Sequence, residues 1–181
     1  MRTVRGKFQS RVLMMGLALA ALSSSLAGSL AWGERASATA WRLLAVAYPD
    51  ARDVEVTIGG SERALTARGV ARIKWREGMA VVEIEAGQVP SPDELGKNGG
   101  QLVLWAIDQE KKVVNLGTVK MSGKNIKASA KAPFRIFGLL VTAESNAAAT
   151  SPSSAVALES RLPLNPNLVL PVFRVEVPLG S

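Results

Sequence analysis

Histidine and cysteine are absent from this chain, and tyrosine occurs once. Without imidazole or thiol there is no Ser-His-Asp triad, no thiol nucleophile, no thiolate or imidazole zinc site and no His-ligated haem. Disulfides are excluded as well, so the fold must rest on its apolar core without covalent staples. A lipid-modified N-terminal cysteine is excluded for the same reason. The sequence also lacks the S-x-x-K pair of a serine-lysine nucleophile and the alternating Asp or Asn of a calcium loop. The nearest approach to a phosphate loop, Gly117 to Asn125, has five residues between its glycines and Asn125 where Ser or Thr would hold magnesium. It reads as a hairpin turn. Nothing asks for a cofactor, and the expectation is a protein that is not an enzyme.

Paired carboxylates are the catalytic option left, because glycoside hydrolysis needs only two of them roughly 5 to 9 Å apart. Glu83 and Glu85 stand at i and i+2 of an expected strand, which fits that range. Yet alternation with Val82, Ile84 and Ala86 is what any half-exposed strand shows, so a solvated face is the plainer reading. Asp93 and Glu94 fit the first turn of a short helical turn at Pro92 to Leu95, where acids suit the dipole.

The first forty residues read as a leader. Arg2, Arg5, Lys7 and Arg11 make a cationic start, Val12 to Leu22 an apolar stretch, and small-residue cleavage sites follow up to Ala40, as in a secretory signal peptide. The rival expectation is an uncleaved anchor helix through residues 12–32, close to the roughly 20 residues a membrane span needs. Either way the rest of the chain is expected outside the cytoplasm, periplasmic or secreted. Cleavage after Ala40 removes five cations and one carboxylate, and the formal charge of +7 falls to +3. The basic character is largely a property of the leader, and the remainder makes no electrostatic case for nucleic acid.

Beyond the leader, hydrophobic patterning has period two. Leu102 to Ile107 is an unbroken apolar run bounded by Gly99-Gly100 and by charges, the mark of a strand buried on both faces. Phe134 to Ala143 is again largely apolar, with Phe137, Leu139 and Val141 on one face and Ile136, Gly138 and Leu140 on the other. Val54, Val56 and Ile58 alternate with Asp53, Glu55 and Thr57. Val70 to Trp75 and Met79 to Ala86 flank Arg76-Glu77-Gly78 as a hairpin. Val113 to Val119 carries Asn115 and Gly117, which suit a bulge. Ile126, Ala128 and Ala130 alternate with Lys127, Ser129 and Lys131. Pro163, Pro166, Pro171 and Pro178 leave room only for an edge strand through Val172, Arg174 and Glu176, or for a docking tail. Trp75 and Trp105 are expected in the core. Many short strands separated by turn signals predict an all-β, Ig-like antiparallel β-sandwich over residues 41–160, preceded by the signal or anchor helix and followed by residues 161–181.

At LVLWAID, VVNLG, FGLLVTAES and SPSSAVALES the chain resembles the extracytoplasmic domain of anti-sigma-K factors and related bacterial envelope proteins. The matching positions are Leu104 and Trp105, Leu116 and Gly117, Phe137 with Val141, Thr142 and Glu144, and Pro152 with Val156 and Leu158. The likeness covers about residues 99 to 160, and most of these are packing residues. It implies an outward-facing interaction domain of Ig-like sandwich type. Sigma-factor binding does not carry over, since only about eleven residues precede the apolar stretch and no His and Cys zinc signature is present.

The expected role is therefore an interaction or structural module of a cell envelope, with a protein partner. Partner contacts are sought at Lys120, Lys124, Lys127 and Lys131, a cationic cluster around an expected hairpin, and at Glu144 at a strand end. Anionic lipid or polysaccharide is the sharper alternative for the lysines, and a solvated, aggregation-resistant strand face the plainer one. The membrane is a partner only if the leader stays uncleaved. A membrane-anchored accessory subunit is the alternative role, and a carbohydrate-binding or glycan-active protein using Glu83 and Glu85 a more distant one.

Overall fold

A computed structural model describes residues 40–50 and 52–180. The leader and its apolar stretch lie outside the described residues. Every regular element among them is a β-strand, and every pairing between strands is antiparallel.

The hub is β9 (Ile136–Glu144), the second of the two long apolar runs. One of its edges pairs with β5 (Gln101–Asp108) from Glu144 opposite Gln101 to Phe137 opposite Asp108. Its other edge is shared. Ile136 and Phe137 pair with β1 (Ala40–Ala47), whereas Leu140 to Thr142 pair with β10 (Val156–Pro163). Beyond β1 lies β11 (Val172–Pro178). Beyond β10 the order runs through β2 (Asp53–Gly60), β3 (Arg68–Arg76), β4 (Met79–Gly87), β8 (Asn125–Ala132) and β7 (Lys120–Ser122). β6 (Val113–Thr118) flanks β5 and approaches β8, so the sheet curves into a nearly closed barrel-like form.

This branching gives β5 and β9 an apolar cluster on each face, which is why neither shows polar alternation. Leu102, Leu104 and Ala106 face the larger cluster with Phe137, Leu139 and Val141, closed from the far side by Val54, Val56, Ile73, Val82 and Ile84. Val103, Trp105 and Ile107 face the smaller one with Leu140, covered by Leu43 and Ala45 of β1 and by Val175 and Val177 of β11. The proline-spaced C-terminal strand is thus an edge strand with a buried face.

Three local findings differ from the sequence expectation. The stretch from Val113 to Ser122 is two strands. Gly117 (φ 106°) stands at a bulge opposite Leu104, and Val119 is buried where the chain leaves β5 for β8. Trp75 is only half-buried, with the Arg135 guanidinium 5.8 Å over its ring, whereas Trp105 is fully enclosed. Tyr48, in a Tyr-Pro-Asp stretch whose chemistry suits a turn, is enclosed as well, its ring packing 4.7 Å from that of the buried Phe137.

The Tyr48 hydroxyl is buried without a hydrogen-bond partner among the described residues, and burial pushes its pKa well above the ordinary phenol value. The folded chain therefore holds this proton more tightly than the unfolded chain does. The stability linked to it is complete below the unfolded value of about 10 and is lost as pH rises above it. Because Tyr48 is the chain's single tyrosine, tyrosinate absorbance reports it alone. That absorbance is expected to appear only together with the tryptophan fluorescence change of alkaline unfolding. A tyrosinate signal at the free-phenol pKa in still-folded protein would contradict the buried placement.

Candidate functional site

Period two sorts the five strands β2, β3, β4, β8 and β7 into an inner apolar face and an outer polar one. Their registers then line up rows of outer side chains. Glu55 lies opposite Arg72, and Arg72 opposite Glu83; Val70 lies opposite Glu85, Glu85 opposite Lys127, and Lys127 opposite Lys120. Arg72 Nε donates to Glu55 at 2.8 Å, and Lys127 Nζ donates to Glu85. Both cations are held above their ordinary pKa values by the hydrogen bond and then by the charge of the paired carboxylate. Glu85 is held below the carboxylate value by its bond to Lys127 and then by that charge.

A hollow of about 660 Å³ opens on this face, lined by Arg68, Arg72, Lys120 and Lys127 with the single carboxylate of Glu85. Val70, Met121 and Ile126 supply apolar lining, and Ser122 and Asn125 supply short polar groups. Gly87, opposite Arg68, adds no side chain, which deepens the hollow between the β3 and β8 rims. Lys120 and Lys127 stand directly across from each other, an arrangement that like charges disfavour. Lys127 has Glu85 to offset it. Among the described residues, neither Lys120 nor Arg68 makes an ion pair.

Two of the four lysines singled out in the sequence thus share the hollow. Lys124 sits on the β7–β8 turn, 3.5 Å from Glu94. Lys131 lies farther along β8, opposite Val81 and off the hollow's lining. Glu144 is apart from all of them: it is buried, and its carboxylate accepts hydrogen bonds from Thr142 Oγ1 and from the Ser153 amide at 2.8 Å. Its contacts are internal.

No family model, curated protein or solved structure matches the chain.

The site's chemistry has to be read from its own residues. Arg68 and Arg72 are the contributors that sequence reading missed. The signal was present as the wet side of an alternating strand, Arg68, Val70, Arg72 and Lys74, but nothing local says which distant strand completes it. The arrangement can hold an anion against fixed cations beside apolar surface. Glu85, tied to Lys127, is held as a carboxylate rather than as a proton donor.

Proposed function

We propose that this chain is an exported, non-catalytic interaction module of a bacterial cell envelope, an Ig-like sandwich of the kind found outside the cytoplasm in anti-sigma-K factors, and that it holds an acidic segment of a protein partner. One observation carries the reading: four cations and one carboxylate around a hollow with apolar lining, two of the cations without an ion-pair partner among the described residues. Supporting it, the hollow borders β7, a three-residue strand at the end of the sheet. An extended chain can lie alongside such an edge with acidic side chains on the rim and apolar ones on Val70 and Met121. An anionic polysaccharide would use the cations but leave the apolar lining without a role, and an anionic lipid would leave a protease-resistant adduct in the test that follows.

A photoreactive residue at Met121, compared with one at Glu62 outside the hollow, tests this in living cells. The expected result is a protease-sensitive adduct from position 121 only. Arg68→Glu with Lys120→Glu is expected to lower its yield about tenfold or more, as two rim attractions become repulsions. Equal labelling from both positions, or a protease-resistant adduct, would count against the proposal.

A further inference from the structure

The opposite end of the sheet has its own strand edge. β11 is terminal there, and among the described residues its only strand partner is β1. The Ala47 amide donates to the Pro171 carbonyl at 3.0 Å, in line with the β1–β11 register. Bonded pairs alternate along an antiparallel ladder. Phe173, Val175 and Val177 therefore spend their backbone groups on β1, and Val172, Arg174 and Glu176 turn theirs to the open edge.

We propose that this edge pairs with the same edge of a second copy of the chain, as a two-fold antiparallel dimer centred on Val175. In that register Arg174 faces Glu176 of the second copy, twice by symmetry, and Phe173 faces Val177. Centring on Arg174 or on Glu176 instead would set like charges opposite each other, and an offset by one residue would mismatch the outward backbone groups. The sequence of the edge is thus complementary to itself in one register. Within the chain Glu176 already lies 3.4 Å from Arg42, while Arg174 has no ion pair among the described residues. Pairing places each Glu176 between Arg42 of its own chain and Arg174 of the other. Val172 and Phe173, each 39% exposed, gain cover at the same step. Pro171 and Pro178 bracket the strand, which keeps the contact short and stops it from growing into a longer ladder. An edge contact of a few residues a side sits at the weak end of specific interfaces, so dimerisation is expected to be reversible.

Sedimentation of the full chain in mild non-ionic detergent tests this, with Arg174→Glu and Glu176→Arg as variants. The wild type is expected to dimerise reversibly. Either reversal alone is expected to weaken dimerisation about tenfold or more, since both symmetric pairs become repulsive. An equimolar mixture of the two variants restores a dimer containing one of each, and that rescue also shows that both variants are folded. A wild type that stays monomeric at concentrations well above the micromolar range, a reversal without effect, or a mixture that stays monomeric would overturn the proposal. None of these outcomes bears on the basic hollow, which lies on other strands.

Discussion

Replacing Trp105 by alanine is expected to cost about 3–5 kcal/mol, the range for truncating a fully enclosed tryptophan, and so to remove a large part of the stability of a domain this size. Two losses combine at this position. The indole fills the smaller apolar cluster between β5, β9 and the β1–β11 pair. Its Nε1 also donates to Thr142 Oγ1 at 2.8 Å, which in turn donates to Glu144. Glu144 accepts the Ser153 amide, and Ser153 Oγ donates to the Ala143 carbonyl at 2.8 Å, so the chain of bonds fastens the loop between β9 and β10. Trp105→Phe keeps most of the bulk and isolates the polar part, at about 1–2 kcal/mol. Trp75→Ala is the contrast: its ring is half-exposed under Arg135, and about 1 kcal/mol is expected. Urea denaturation of the three variants checks the order, and equal costs at Trp75 and Trp105 would refute the assignment of one to the interior and the other to the surface.

Gly138 is the second sensitive position. A methyl group there would lie 2.4 Å from the Leu44 carbonyl oxygen and 2.8 Å from two carbons of the Leu43 side chain. β1 lies flush against β9 at this point, and the Leu44 carbonyl cannot retreat without pulling Leu43 out of the smaller cluster. Gly138→Ala is therefore expected to destabilise by about 2–3 kcal/mol, with Gly138→Val worse. Gly180→Ala meets nothing nearer than 3.5 Å and is expected to be close to neutral. Thermal melts of the alanine pair separate a specific close approach from a general intolerance of side chains at glycine positions, which would make the two equally harmful.

How much of this was legible in the sequence depended on how local the signal was. The runs at Leu102 to Ile107 and Phe137 to Val141 declared strands buried on both faces, because no polar alternation interrupts them, and they are the two strands with an apolar cluster on each side. The split at Val119 was not legible. It depends on β6 pairing with β5 while β7 pairs with β8, and the Asn115 side chain that braces the region donates to the carbonyls of Ala147 and Ala149, more than thirty residues on. Tyr48 was missed because Tyr-Pro-Asp has turn chemistry, and only the packing against Phe137 draws its ring inward. The lysine cluster was visible as Lys120 and Lys127, but its completion by Arg68 and Arg72 follows from β8 pairing with β4 and β4 with β3. No pattern within a single strand encodes that order.

The claim that the basic hollow is the working surface is tested most directly by amide chemical shifts during titration with a glutamate-rich peptide carrying leucines. Perturbations are expected to gather on Arg68 to Arg72, Gly87 and Lys120 to Lys127, and to fade as salt screens the rim charges. Shifts scattered over the molecule or centred elsewhere, or no shifts at millimolar peptide, would contradict it.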